Sequence, residues 1–372
     1  MQPTYLEQEN VFVSRQPEKK KNDSPRGGLL FASCQAGAHL AEKVVLRYRQ
    51  LSREAGGESE IAYLEGIDFR FSDGETCVRL DQDVNGRDVF LFQALQDPLG
   101  GQDINHNYLA FLIAARTFRQ WGANHVTGVL PYLAYSRQDK PTQFQREPTT
   151  VELLADLSIE AGLDRLVVWH PHMDRVHGFY GSVPVDALGA LPLFFDLYRR
   201  FQDRDEVIVV APDAGALKFV MALSRALNIS SAVASKYRPK PEQAVVSEIM
   251  GDFQGKRIAL VLDDMINTGG TMMAAVEKLV DEKGIQQVYL GVSHNLGTDL
   301  AQKRLRRLAD QYGLEEVVVT DSIPQTQAFQ SLPFLTVVSL ADILSHAVNR
   351  IHHNRSVDGI TAGPAAQMSA GG

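Results

Sequence analysis

The sequence predicts an α/β protein of two related halves, each built on a mostly parallel sheet flanked by helices. Short, uniformly apolar runs alternate with stretches of helical length, and such runs are typical of strands buried in parallel sheets. A strand, a turn of small residues and a helix occur at 28–51, and a similar pattern returns at 207–227. The repetition indicates two related α/β units.

Composition narrows the class of protein. The 372 residues are 44% hydrophobic, which is enough for two domains with proper cores, and no apolar run reaches membrane-spanning length. The net charge of −8 provides no general attraction for nucleic acid. Cys34 and Cys77 lack a metal-binding spacing, and the amino terminus lacks the apolar core of a signal peptide. We therefore expect a cytoplasmic protein that binds neither nucleic acid nor membrane, without a disulfide between these cysteines.

The order of elements follows from the same patterns. Residues 1–27 are polar and have no apolar period, so they are expected to form a disordered extension, and the small residues of 356–372 are expected to form a flexible tail. A Ser-Asp-Gly turn within 69–78 indicates a hairpin. The expected strands begin at 29, 88, 126, 165, 207, 260, 288 and 316, and the expected helices cover about 39–51, 106–121, 218–227, 272–280 and 341–351.

The most informative stretch joins a buried strand to a helix near the middle of the second half. Leu260, Val261 and Leu262 read as a central strand, and Asp263 and Asp264 follow at its carboxyl end. Ligands of open α/β sheets bind at that edge, although a lone Asp there is often a helix cap. Two adjacent carboxylates favour a binding site.

The residues after this pair have the chemistry of a phosphate-binding loop. Gly269 and Gly270 allow a tight turn and a close backbone approach, and Thr268 and Thr271 supply hydroxyls at the start of a helix. Free N–H groups and the helix dipole favour an anion at that position. A strand, a glycine turn and a helix also occur in doubly wound folds without such a site.

This stretch resembles the loop that binds phosphoribosyl pyrophosphate in phosphoribosyltransferases and in ribose-phosphate pyrophosphokinases. The resemblance implies that Asp263 and Asp264 hold the ribose diol. It also implies that the ribose 5-phosphate is bound by the loop residues Asn267, Thr268, Gly269, Gly270 and Thr271.

Two further segments distinguish between those families. The stretches 71–75 and 135–140 are similar to the ATP-binding pair of ribose-phosphate pyrophosphokinases, and phosphoribosyltransferases lack both. The resemblance covers about 28–357. The residues that it implies for ATP binding are Phe71, Asp73, Glu75, Arg137 and Gln138.

The same resemblance implies a fold of two phosphoribosyltransferase-like, Rossmann-like domains. Residues 28–188 would form the ATP-binding domain, to which the helix within 339–355 returns. Residues 189–338 would form the domain that binds ribose 5-phosphate.

A histidine-containing turn follows the strand at 165–169. His170, His172 and His177 invite a zinc interpretation, but a fourth ligand and a regular spacing are not evident. The resemblance instead places His172 and Asp213 at Mg²⁺, with Lys218 facing a substrate phosphate. Few protein ligands plus substrate phosphates suit this cation.

The segment 234–241 contains Lys236 and Arg238, and its two prolines interrupt any helical pattern. By itself this is a surface loop. The resemblance implies a mobile catalytic loop whose two cations meet the transferring diphosphoryl group. Four positions depart from the usual family residues: His170 replaces Asp, Ala216 replaces Gly, Phe219 replaces Arg, and Asn267 replaces Asp.

Together these features predict a ribose-phosphate pyrophosphokinase. It would transfer the diphosphoryl group of ATP to the C1 hydroxyl of ribose 5-phosphate with Mg²⁺ as cofactor, and release AMP. By resemblance it would be a homo-oligomer built from dimers. A non-catalytic regulatory relative and a phosphoribosyltransferase are the alternatives.

Overall fold

The computed structural model describes residues 24–57, 61–142, 144–240 and 243–361, without the side chains of 236–247 and of 361. Most of the expected extension 1–27 and most of the expected tail 356–372 therefore lie outside the described residues. Within the described residues, no helix has both the length and the apolar composition needed to cross a membrane.

The first sheet contains six parallel strands in the order β2-β1-β5-β6-β7-β8. A separate antiparallel pair, β3 (Asp68–Arg70) and β4 (Thr76–Val78), confirms the hairpin expected from the Ser-Asp-Gly turn. The strands of the sheet are β1 (Gly28–Ser33), β2 (Ala62–Leu64), β5 (Arg87–Phe92), β6 (His125–Leu130), β7 (Arg165–Trp169) and β8 (Val185–Leu188).

The second sheet contains seven strands in the order β11-β10-β9-β12-β13-β14-β15. All neighbouring pairs are parallel except β10 and β11, which form an antiparallel edge. The strands are β9 (Val207–Ala211), β10 (Ser230–Lys240), β11 (Gln243–Met250), β12 (Ile258–Ile266), β13 (Gln287–Asn295), β14 (Leu314–Thr320) and β15 (Leu335–Val338).

Most helices connect successive strands of one sheet, α4 connects the two sheets, and α9 and α10 follow the last strand. Helix α2 begins after Asp103, whose side chain accepts a hydrogen bond from His106 N, and α7 begins after Thr298, which caps Ala301 N in the same way. The helices are α1 (Ala38–Glu54), α2 (Ile104–Gln120), α3 (Thr150–Glu160), α4 (Leu191–Tyr198), α5 (Leu217–Leu227), α6 (Gly270–Lys283), α7 (Asp299–Gln311), α8 (Gln327–Gln330), α9 (Ala341–His352) and α10 (Asp358–Thr361).

One apolar core joins the two sheets. It contains Phe31 and Trp169 from the first sheet, Leu260 from the second, and side chains of α1, α4, α5 and α9. Helix α9 packs along α1, where Ser345 Oγ donates to the carbonyl oxygen of Val44 at 3.0 Å. The halves are therefore in direct contact, while the domain boundaries 28–188 and 189–338 stay a prediction.

Two segments differ from the expected elements. Strand β12 continues through Asp263 and Asp264 to Ile266, because β13 supplies hydrogen-bonding partners beyond the apolar run. The segment 234–240, expected to be a loop, lies in β10 and pairs with β11 across an irregular register. Prolines are tolerated at edges and irregularities of this kind, so Pro239 does not exclude a strand.

Candidate functional site

The carboxyl end of β12 is open on one side. Its pairing with β9 ends at Val261, whereas its pairing with β13 continues to Ile266. Asp213 follows the end of β9, so it belongs to the same sheet edge as Asp263 and Asp264. Because adjacent parallel strands end at different heights here, three carboxylates surround one crevice.

A direct contact links this crevice to the first sheet. His172 follows the end of β7, and its Nδ1 donates a hydrogen bond to Asp264 Oδ2 at 2.6 Å. This hydrogen bond raises the pKa of His172 above its usual range, against the opposing effect of burial. Burial alone would raise the pKa of Asp264, but the hydrogen bond and charge of His172 hold it below its usual range.

The pKa of Asp263 shifts in the opposite direction from that of Asp264. Burial raises its pKa well above the usual range, and the charges of Asp264 and Asp213 raise it further. The backbone N–H of Asp264 donates to Asp263 Oδ1 at 2.9 Å, which fixes the orientation of that carboxyl group. The crevice therefore combines acceptor oxygens with a surplus of negative charge, which favours hydroxyl donors and cations.

The proposed phosphate loop, residues 267–271, begins directly after β12. Gly269 has a φ of 73°, a left-handed conformation that favours glycine, and α6 begins at Gly270. The amino end of α6 thus lies at the same sheet edge as the carboxylates. An anion bound there would meet backbone N–H groups. Asn267 and Thr268 are exposed, and Thr271 lies in the first turn of the helix.

The structure separates the residues expected to bind ATP into two groups. Arg137 is exposed and close enough to His172 for its charge to lower the pKa of that imidazole, so the 135–140 turn faces the carboxylates. Gln138 accepts a hydrogen bond from Thr150 Oγ1 at 2.6 Å. The charge of Arg137 thus acts on His172 at the crevice, and the hydrogen bond ties Gln138 to the start of α3.

The second group lies on the β3–β4 hairpin. Asp73 Oδ1 accepts a hydrogen bond from the backbone N–H of Glu75 at 3.0 Å, within the turn itself. The ring of Phe71 is 49% exposed and meets Phe69 edge to face. These contacts stay within the hairpin, so they do not bring Phe71, Asp73 or Glu75 to Asp264.

Behind His172, two of the unusual residues touch each other. The rings of His170 and Phe219 lie 4.7 Å apart between centroids, and His170 Nδ1 lies 2.5 Å from Ser293 Oγ. Burial lowers the pKa of His170 and favours its neutral form. His294 Nε2 donates to the carbonyl oxygen of His170 at 3.2 Å, and burial lowers the pKa of His294 to about 4.

The described residues contain no group of three or more His, Cys, Asp or Glu side chains arranged to hold a metal ion. His170 faces Ser293 and His172 faces Asp264, so these two rings are directed to different partners. His172, which is bonded to Asp264, and Asp213, whose charge acts on Asp263, offer one nitrogen and carboxylate oxygens. Such a sparse donor set fits a cation that takes its other ligands from substrate and water.

The expected cations lie at the same edge of the second sheet. Lys218, in the first turn of α5, forms an exposed ion pair with Asp174. Lys236 and Arg238 lie in β10 beyond Val233, the last residue paired with β9, which places their backbone past the carboxyl end of that strand. Their side chains lie outside the described residues.

Sequence reasoning missed two residues that contact the phosphate loop. Thr298 and Arg304, from the start of α7, donate hydrogen bonds to carbonyl oxygens of Asn267 and Thr268. A capping signal was present in Thr298-Asp299, since Thr before an acidic first turn is typical of a helix start. Nothing in the sequence gives the direction in which Arg304 extends.

Two family models match the chain. The N-terminal domain of ribose phosphate pyrophosphokinase matches residues 30–162, and the phosphoribosyl synthetase-associated domain matches residues 209–360. Together these matches include most of both sheets and most of the candidate site.

Individual proteins show the same similarity. The chain is 34% identical over 318 residues to a ribose-phosphate pyrophosphokinase of Fusobacterium nucleatum, covering 83% of this chain and 92% of that protein. It is 32% identical over 312 residues to one of Aquifex aeolicus, covering 84% and 96%. The crystal structure of phosphoribosylpyrophosphate synthetase from Mycobacterium smegmatis matches with a TM-score of 0.73 and 30% identity, covering 88% and 99%. This likeness, with the two mostly parallel sheets flanked by helices, confirms the expected α/β fold class.

Proposed function

The chain belongs to the ribose-phosphate pyrophosphokinase family, and we propose that its reaction takes place where the carboxyl ends of the two sheets meet. As a member of this family, it transfers the diphosphoryl group of ATP to the C1 hydroxyl of ribose 5-phosphate, giving phosphoribosyl pyrophosphate and AMP. The observation that supports the location is the bond between His172 and Asp264. It joins the strand ends of both sheets at one crevice.

Ribose 5-phosphate would bind along the end of β12. Asp263 and Asp264 would accept hydrogen bonds from the two hydroxyls of the ribose diol, since adjacent carboxyl groups can accept both. The 5-phosphate would lie at residues 267–271, against the amino end of α6. Both subsites belong to one continuous segment, so the sugar is held at two ends by a strand and the loop that follows it.

ATP would bind between the 135–140 turn and the β3–β4 hairpin. Arg137 and Gln138 would reach the nucleotide from the turn, with the guanidinium on the side of the carboxylate crevice. Phe71 offers an exposed ring face for the adenine, and Asp73 and Glu75 offer acceptors for amino and hydroxyl groups.

We place Mg²⁺ at His172 and Asp213, which together fit a cation that keeps substrate oxygens as ligands. The bound ion would neutralise phosphate charge and polarise the reacting oxygens. His172 has to be neutral to bind it, and Asp264 orients the imidazole through Nδ1, which leaves Nε2 available.

In the reaction, the C1 oxygen of the sugar attacks the β-phosphorus of ATP. The bond between that phosphorus and the oxygen shared with the α-phosphate breaks, AMP leaves with the electron pair, and the hydroxyl proton passes to solvent. Lys236 and Arg238 would stabilise the negative charge that develops on the transferring group, and Lys218 would face a substrate phosphate. The chain's main contributions are therefore position and charge.

Phosphorus NMR of the protein with ATP, Mg²⁺ and ribose 5-phosphate tests this function. AMP and phosphoribosyl pyrophosphate should appear in equal amounts. Replacing Asp263 and Asp264 together with Asn should remove product formation at ordinary ribose 5-phosphate concentrations, with ATP binding retained. ATP left intact by a well-folded wild-type protein would contradict the proposal and favour a non-catalytic regulatory role.

We also propose a homo-oligomer built from dimers, working in the cytoplasm, with an ATP-binding domain at 28–188 and a ribose 5-phosphate-binding domain at 189–338. Exposed apolar side chains on α2 and α3, among them Leu109, Leu153 and Leu157, support a contact between subunits. Light scattering should give an even multiple of the 41.1 kDa chain mass. A monomer at all concentrations would contradict the proposed assembly.

A further inference from the structure

We propose that the start of α7 positions the phosphate loop, with Thr298 and Arg304 as positioning residues for ribose 5-phosphate. The proposal rests on the function proposed above for residues 267–271. Neither side chain belongs to that loop or to its helix. Both act on the loop through its backbone.

Three consecutive carbonyl groups of the loop are held by one neighbouring segment. The backbone N–H of Leu296 donates to the oxygen of Ile266 at 2.9 Å, and Thr298 Oγ1 donates to the oxygen of Asn267 at 2.6 Å. Arg304 Nη1 donates to the oxygen of Thr268 at 2.8 Å. The three donors follow β13, the strand paired with β12, so they reach the loop from the β13 side.

Peptide geometry converts these bonds into an orientation for the loop's donors. A trans peptide is planar, and its N–H points away from its C=O. When the carbonyls of Ile266, Asn267 and Thr268 point toward the start of α7, the following N–H groups of Asn267, Thr268 and Gly269 point away from it. The bonds therefore turn successive donors toward the other side of the loop, where the 5-phosphate is proposed to bind.

The first two turns of α7 lie beside the glycines of the loop. A Cβ atom added to Gly269 would lie 3.7 Å from Ala301 Cα, and one added to Gly270 would lie 3.1 Å from Arg304 Nη1. Ala301 and Arg304 are thus the residues of α7 that lie nearest to the two glycines. The hydrogen bonds from Thr298 and Arg304, rather than steric contact, therefore hold the loop at this position.

The charge of Arg304 adds an electrostatic effect. A guanidinium at a carbonyl oxygen polarises the peptide group, which makes the N–H on the other side a stronger donor to an anion. Arg307 lies three residues further along the same exposed groove between α6 and α7, but it pairs with Glu277 at 3.0 Å. Arg307 therefore provides a matched control of the same residue type.

The experiment compares Arg304→Met with Arg307→Met in the full-length protein. We expect Arg304→Met to raise the KM for ribose 5-phosphate about tenfold, because a hydrogen bond from a charged donor is lost. The KM for ATP and kcat should stay within about twofold of wild type. Arg304→Lys should recover part of the loss, whereas Arg307→Met should leave both KM values unchanged.

A second readout does not depend on turnover. Ribose 5-phosphate alone should raise the melting temperature of wild type and of Arg307→Met, and this shift should be much smaller for Arg304→Met. Thr298→Val should also weaken the shift, while Thr298→Ser should preserve it. A merely structural role would instead lower the melting temperature of the free protein and leave the ligand-induced shift intact, which would overturn the proposal.

Thr271→Val separates failure of this inference from failure of the loop assignment. If Thr271→Val raises the KM for ribose 5-phosphate and Arg304→Met does not, the positioning role is wrong and the loop assignment stands. If neither substitution affects this KM, the loop assignment itself is wrong, and the positioning role falls with it.

Discussion

At the scale of single residues, His172 has two proposed roles in the crevice, and they require different protonation states. In an ion pair with Asp264 it neutralises part of the negative charge that Asp263, Asp264 and Asp213 bring together. As a metal ligand His172 has to be neutral. Loading of the proposed Mg²⁺ therefore requires the loss of a proton from His172, and acidic pH should oppose it.

The pH dependence of this pair is a first prediction. The pKa of folded His172 is raised, so the pair stabilises the fold fully below the unfolded pKa of about 6.5 and loses this effect as pH rises through the folded pKa. The pKa of folded Asp264 is lowered, so its contribution is present above about 3.9 and is lost as pH falls through the folded pKa. Stabilisation is therefore greatest between about pH 4 and 6.5.

Asp264→Asn tests this window in the metal-free protein. The pKa of His172, followed by NMR of its imidazole, should fall, and urea unfolding should show a larger loss of stability at pH 5.5 than at pH 9. At the higher pH the substitution also relieves repulsion with Asp263, which reduces the loss further. Asp139→Asn is the control, with a smaller decrease in the His172 pKa. An unchanged His172 pKa in Asp264→Asn would contradict the pairing.

Residue types in the site were predictable, but their pairings were not. The chemistry and the order of the Asp pair, the glycines and the threonines in 263–271 indicate a ligand-binding site. The contact between His172 and Asp264 joins residues that are 92 positions apart in the sequence. They meet only because the fold brings the ends of the two sheets together. His170 and Phe219, which both differ from the residues implied by the resemblance, are likewise distant in sequence but in contact in the structure.

At the scale of elements, the antiparallel pair of β10 and β11 extends the second sheet past the crevice. Its register shifts between Ser235 and Lys236 and again between Tyr237 and Lys240, so its pairing is irregular where the proposed catalytic cations lie. An irregular edge strand forms fewer regular ladder bonds than a central strand. The free energy needed to rearrange this segment around bound phosphates is therefore lower than for the central strands.

The second prediction concerns Lys236 and Arg238. Replacing both with Ala should lower kcat by a factor equivalent to roughly 3–5 kcal/mol, as expected for charges that act chiefly in the transition state. The dissociation constant of ATP, titrated directly, should change little. A large rise in that constant at near-normal kcat would instead make both residues ordinary phosphate-binding side chains.

The expected strands and helices of both sheets largely agree with the structure, because uniformly apolar runs identify buried parallel strands. The strand expected from Arg165 and the helix expected from Ala341 match β7 and α9 closely. The antiparallel hairpin was missed because Pro239 and the cations of 236–240 have the composition of a loop. Pairing with β11, which composition does not reveal, outweighs it.

At the scale of the whole molecule, Asp88 connects the chain's distant segments. Its buried carboxylate on β5 accepts hydrogen bonds from Arg26 Nε at 3.1 Å and from His352 Nδ1 at 2.7 Å. Ser24 Oγ also donates to the carbonyl oxygen of His352. The segment before β1 and the end of α9 are thereby held on the same strand of the first sheet.

The third prediction follows from this buried arrangement. Asp88→Asn should lower the free energy of unfolding by about 3 kcal/mol or more, because it leaves the buried guanidinium of Arg26 without its counter-charge. Arg119→Gln, which breaks a more exposed ion pair with Asp164, should cost less than about 1 kcal/mol. Urea unfolding measures both, and equal effects would contradict the special role of Asp88.

The fourth prediction concerns cooperativity. Because one apolar core contains side chains of both sheets and of α9, neither half can expose its share of the core without exposing that of the other. Calorimetry of the ligand-free protein should therefore show one unfolding transition. Two well-separated transitions would show that the halves unfold independently.

The contact between His170 and Phe219 couples the effects of mutations at the two positions. The resemblance described above implies Asp and Arg at these positions in the family, and these side chains carry opposite charges. Returning His170 alone to Asp would set a carboxylate against an aromatic ring, and returning Phe219 alone to Arg would set a cation beside an imidazole. Only the double reversion restores a complementary pair, so each single reversion should be less favourable than both together.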